Sequence, residues 1–147
     1  MLRIYCKNTG TFKEFQEGST LLDMIPEFDF ERPYEIISAK VNNVSQGLKF
    51  RVFNNRDVEF LDYRTYAGRN VYCRSLCFLL CKAAQDLFPG CKVVIRRPIS
   101  KGYFCRLDKP GGESMHRDDI AAIRERMQQL VAADTPFRRY EVQATEA

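Results

Sequence analysis

Histidine is almost missing from this chain: among 147 residues only His116 is one. A histidine pair for proton transfer cannot be built from it, and a metal site would lack imidazole help. Long apolar runs are missing too. No stretch approaches the roughly 18 residues needed to span a bilayer. The opening Met1-Leu2-Arg3-Ile4-Tyr5-Cys6-Lys7 alternates like a strand and lacks the apolar core of a signal peptide. The expectation is a cytoplasmic address with no membrane partner. Six cysteines are present, but Cys6, Cys73, Cys77, Cys81, Cys91 and Cys105 contain no C-x-x-C pair, which removes the common zinc-ribbon and thioredoxin patterns. The phosphate-binding signature G-x-x-x-x-G-K-[ST] does not occur, and Gly111-Gly112 has no following Lys-Ser or Lys-Thr, so a turn explains it. There is no internal repeat and no low-complexity tract.

What remains is an ordinary globular balance. Hydrophobic residues make up 45% and charged residues 29%, which fits one domain or two small ones rather than a disordered tail. The net charge of +4 is compatible with nucleotide or nucleic-acid partners, although the pI of about 8.8 falls short of demanding them. Cys73, Cys77 and Cys81 lie four apart and would stack along one side of a helix. A soft metal could use such a stripe; a row of small reduced thiols in a cytosolic core is the favoured reading.

Periodicity organises the chain into two parts. Residues 1–62 read as short strands around one short helix. Leu2, Ile4 and Cys6 alternate with polar residues, Asn8-Thr9-Gly10 turns, and Thr11-Phe12-Lys13-Glu14-Phe15 returns. Ser19 or Thr20 caps a helix carrying Leu21, Leu22, Met24 and Ile25, which Pro26 curtails. Residues 35–41, 49–53 and 58–61 are strand candidates, with Asn42-Asn43 as a turn. This ββαβ order, with further short strands, is the pattern of a β-grasp domain. After a polar connection over 63–70, the spacing predicts a helix over about 71–88 ended by Pro89-Gly90. Strands follow at 91–95 and 102–107, turning at 98–101. A second helix runs from about Arg117 to Ala133 with Asp118 and Asp119 at its positive end. Residues 137–142 could begin another strand.

The phrases Gly18-Ser19-Thr20-Leu21-Leu22-Asp23, Ile37-Ser38-Ala39-Lys40-Val41-Asn42-Asn43 and Asn54-Asn55-Arg56-Asp57-Val58-Glu59-Phe60 resemble the TGS domain of threonyl-tRNA synthetases and certain regulatory GTPases. Leu87-Phe88-Pro89-Gly90-Cys91-Lys92, Pro98-Ile99-Ser100-Lys101-Gly102-Tyr103-Phe104, the stretch from Asp118 to Met127, and Pro136-Phe137-Arg138-Arg139-Tyr140-Glu141-Val142 resemble the synthetase editing region. The implied fold class is α+β: a ubiquitin-like β-grasp TGS domain over 1–62, a linker over 63–70, and a partial editing-type α+β domain over 71–147.

Departures from the family set the functional expectation. The family carries a His-x-x-x-His pair on the first editing helix; here the matching positions hold Arg74 and Phe78. Arginine stays charged and accepts no proton at neutral pH, and phenylalanine has neither capacity. His116 matches the cap of the second helix. The resemblance therefore implies no catalytic residue and no cofactor in this chain. A histidine-poor arrangement also resembles the N-terminal region of TGS-bearing uridine kinase-like proteins. That likeness implies a regulatory module joined to a downstream kinase domain, which alone would use ATP and magnesium. The alternative is a module binding RNA at a tRNA acceptor stem, without editing. Arg74, Lys82, Arg96, Arg97, Lys101 and Tyr103 are the candidate residues for a phosphate or RNA ligand; a solvated basic surface is the competing explanation.

Overall fold

The computed structural model describes residues 1–146, and for Arg97 its backbone alone. The chain divides into two compact units, Met1–Ser75 and Leu76–Ala147.

In the first unit, β1 (Leu2–Cys6) and β2 (Thr11–Phe15) form an antiparallel hairpin. Leu2, Ile4 and Cys6 are buried, while Arg3 lies outward on the exposed side. Helix α1 (Leu21–Met24) starts at Thr20, whose Oγ1 accepts from the Asp23 N–H at 3.2 Å while Asp23 Oδ2 accepts from the Thr20 N–H at 3.0 Å. This reciprocal pair satisfies two of the donors that a helix start leaves bare. Pro26 then tightens the chain into a 3-10 turn over Ile25–Glu27. Strands β3 (Ser38–Val41) and β4 (Val44–Gln46) are joined by Asn42 and Asn43 at φ of 48° and 68°. Two left-handed residues are what a two-residue hairpin of matching twist requires. Strand β5 (Arg56–Leu61) runs parallel to β1 and antiparallel to β3, giving the order β2-β1-β5-β3-β4. Leu21, Met24 and Phe28 pack with Ile4, Ala39 and Val58 of the sheet in one buried cluster. This is the expected β-grasp.

Some details differ from expectation. Residues 49–53 form no strand beyond a single bridge between Thr20 and Arg51. The carbonyls of Leu48 and Phe50 instead accept from the N–H groups of Leu22 at 2.9 Å and Leu21 at 3.1 Å. The segment is used to satisfy the start of α1, so it cannot also serve a sheet neighbour. The following helix, α2 (Tyr66–Leu87), begins five residues early. Thr65 Oγ1 accepts from the Gly68 N–H at 3.0 Å and donates to the Asp62 carbonyl at 3.1 Å, which nucleates the turn before the apolar periodicity starts.

In the second unit, β6 (Lys92–Ile99) and β7 (Gly102–Asp108) pair antiparallel and are followed by α3 (Arg117–Ala132). Pro98 and Ile99 belong to β6, so the turn is tighter than expected and centres on Ser100, whose φ is 56°. Val93 and Leu107, paired across the hairpin, pack against a small core of Ala83, Ala84, Cys91, Ile123 and Leu130. Residues 137–142 are exposed and form no strand; Phe137 instead sets its ring 5.5 Å from that of Phe78.

Candidate functional site

The register of the hairpin sorts its side chains between two faces. Val93 opposite Leu107, and Ile95 opposite Cys105, share the face that meets the core. Lys92 opposite Asp108, and Val94 opposite Arg106, share the other. Alternation adds Arg96 and Phe104 to that second face and Tyr103 to the first. The pairing slips between Ile95 and Pro98, leaving Arg96 and Arg97 opposite Phe104 alone. Such a bulge bends a strand and re-aims its side chains. Lys92, Arg96, Lys101 and Arg106 are all exposed. Arg106 donates to Asp108 Oδ1 at 3.0 Å, so part of its charge is balanced. The outcome is a wet, cationic hairpin face with Phe104 half exposed among the charges.

The other candidate residues are distributed differently. Lys101 sits at the hairpin tip, and Tyr103 occupies the opposite face from Arg96. Lys82 is held by Asp86 at 2.6 Å, one helical turn on, which draws its ammonium into an ion pair. Arg74 is exposed on α2 and belongs to the first unit. The side chain of Arg97 lies outside the described residues. Phe78, the second position matching the family's histidine pair, is 62% exposed, with its ring tilted against that of Phe137. His116 stands at the N-cap of α3, and its N–H donates to Asp119 Oδ2 at 2.9 Å. Lys109 completes this corner, 2.7 Å from the same carboxylate oxygen. The ion pair with Lys109, then the His116 N–H, holds the Asp119 carboxyl below its usual range.

Asp86 is the electrostatic centre of the second unit. It accepts from Lys82 and, at 3.0 and 2.8 Å, from Nε and Nη2 of Arg126 on α3. These contacts, Lys82 first, lower its pKa from the ordinary 3.8. A depressed carboxylate contributes stability above its unfolded pKa and loses it as pH falls through the folded value. Asp86→Asn is therefore expected to lower the melting temperature more at pH 7 than at pH 2. Thermal melts at both pH values check this; an equal loss at both would contradict it.

Sequence reasoning missed one group. Tyr34, Tyr63 and Tyr72 meet in the first unit, with Arg64 beside them. The run Tyr63-Arg64-Thr65-Tyr66-Ala67-Gly68-Arg69 already interleaves aromatic and basic residues, and that signal could have marked it. Among the described residues, no group of three or more His, Cys, Asp or Glu could hold a metal ion, and no helix is long and apolar enough to cross a membrane. Among the described residues no cysteine is in a disulfide. Burial, then the neighbouring Cys77, pushes the Cys81 thiol up.

The architecture is mixed α+β, a TGS-type β-grasp sheet followed by an editing-type hairpin and helices. Known proteins similar to the chain agree with that class. Threonine–tRNA ligase of Syntrophomonas wolfei is 29% identical over 147 residues, all of this chain and 23% of that protein. The enzyme of the same name from Natranaerobius thermophilus is 28% identical over the same span, again 23% of its length. That of Parabacteroides distasonis is 26% identical over 138 residues, 94% of the chain and 21% of the enzyme. The chain thus spans less than a quarter of the length of these relatives. No family model matches the chain. The expected link to a uridine kinase draws no support from these relatives.

Proposed function

We propose that this chain is a tRNA-binding module of the threonyl-tRNA synthetase kind, with residues 1–62 as its TGS-type part and 71–147 as its editing-type part. It contacts an acceptor stem through the cationic hairpin and performs no histidine-dependent editing. The observation that carries this reading is similarity to threonine–tRNA ligases along the whole chain rather than over one segment. The exposed Lys92, Arg96 and Lys101 supply the phosphate contacts such a role needs. Arg74 and Phe78, at the positions of the family's histidine pair, supply neither a proton acceptor nor a metal ligand.

Binding to a whole tRNA and to its isolated acceptor-stem minihelix tests the reading. The two affinities are expected to agree within about threefold, since the stem carries most of the phosphates contacted. A minihelix that binds far more weakly would place the contacts elsewhere on the tRNA. Mischarged tRNA is expected to deacylate at the same rate with and without the protein. An acceleration would overturn the absence of editing.

A further inference from the structure

Charge on the wet face of the β6–β7 hairpin is one-sided at close range. Lys92, Arg96 and Arg106 share that face with one carboxylate, Asp108, which Arg106 engages at 3.0 Å. Among the described residues neither Lys92 nor Arg96 takes part in an ion pair. A hollow of about 410 Å³ at the Asp108 end adds one cation, Lys109, and one carboxylate, Glu113, so the positive excess is unchanged there. Lys101, between the two strands at the tip, increases it.

Amid these charges stands a bare apolar pair. Val94 lies opposite Arg106, and Phe104 follows on the same face two residues away along β7. The two side chains are 41% and 50% exposed. Phe12, 53% exposed on the other sheet, is covered by the Arg3 guanidinium 4.1 Å from its ring centre and meets Tyr5 at 4.9 Å. Among the described residues, no aromatic ring and no cation covers Phe104 in that way. The bulge sets Arg96 across the hairpin from Phe104 without laying its guanidinium on the ring. Water contact is unfavourable for an apolar ring, and a flat anionic ligand would relieve it. An unpaired nucleotide has both parts, a base to stack on the ring and a phosphate for the neighbouring guanidinium. An acidic peptide offers the charge without the flat face.

We infer that Phe104 stacks on an unpaired base beside the duplex, with Arg96 on the adjoining phosphate. This rests on the proposed RNA-binding role and refines its ligand: a stem carrying a single-stranded extension, in preference to a blunt one.

The test titrates the whole chain with a blunt minihelix, the same minihelix extended by four unpaired adenylates, and one whose four added nucleotides are abasic. The adenylate extension is expected to tighten binding at least about fivefold over the blunt stem. The abasic extension carries the phosphates without the bases and is expected to gain no more than about twofold. Phe104→Ala is expected to lose the adenylate gain while keeping the blunt-stem affinity within about twofold, which also controls for folding. Phe104→Trp, which keeps a ring, is expected to retain the gain. If Phe104→Ala keeps the gain, if the abasic extension gains as much as the adenylates, or if the wild type gains nothing from either, the stacking role is overturned and the duplex contact stands. A wild type that binds an octaglutamate peptide more tightly than the extended stem would assign the face to an acidic protein and overturn the inference. If the wild type binds none of the three RNAs, the RNA-binding role itself falls, and the stacking role with it.

Discussion

Gly68→Ala is expected to lower the thermal midpoint by about 10 °C or more, a loss of about 3 kcal/mol. A Cβ at residue 68 would stand 1.9 Å from the Asp62 carbonyl oxygen and 2.9 Å from Thr65 Oγ1. Neither neighbour can retreat cheaply. The Asp62 carbonyl accepts from the Thr65 hydroxyl, and its carboxylate is locked to Arg64. Asp62 also follows directly on β5, so moving it pulls on the sheet. Gly47→Ala provides the contrast. Its Cβ would meet nothing within 4 Å and its φ is unremarkable, so a shift within about 0.5 kcal/mol is expected. Melts of the two variants beside the wild type settle the comparison. A Gly68→Ala protein as stable as Gly47→Ala would show that the start of α2 is looser than its contacts imply.

The second large effect concerns affinity. The combined variant Lys92→Gln, Arg96→Gln and Lys101→Gln is expected to weaken minihelix binding on the order of 10²-fold at 0.1 M salt. Each phosphate neutralised releases about 0.9 counterion, so three lost contacts multiply at that salt concentration. All three residues are exposed, and none supports the core cluster formed by the helices and hairpin. Folding should therefore be spared, and an unchanged circular dichroism spectrum confirms it. Retained affinity would remove the hairpin from the interface.

The sheet was readable because its residues obey short-range rules. Leu2, Ile4 and Cys6 alternate, Thr20 caps with Asp23, and Asn42-Asn43 takes the left-handed turn that asparagine tolerates. Residues 49–53 misled because β-branched and aromatic residues also suit an extended segment whose carbonyls serve a helix. The early start of α2 depends on Thr65 and Gly68 rather than on apolar spacing, so periodicity placed it too late. The hairpin cations were visible as a charge cluster, but their sorting between faces needed the register and its bulge. The ion pair of Lys82 has a local origin, since its i,i+4 partner Asp86 was already in the sequence. The tyrosine row was hidden because Tyr34 comes from a loop far from Tyr63 and Tyr72 in the chain, and only folding brings the three rings together.

The salt dependence of minihelix binding addresses the central claim most directly. Affinity measured from about 0.05 to 0.3 M monovalent salt should fall with a log–log slope of about −3, as expected for three hairpin phosphate contacts. A slope near zero, or no binding at the lowest salt, would contradict an RNA-binding role for this chain.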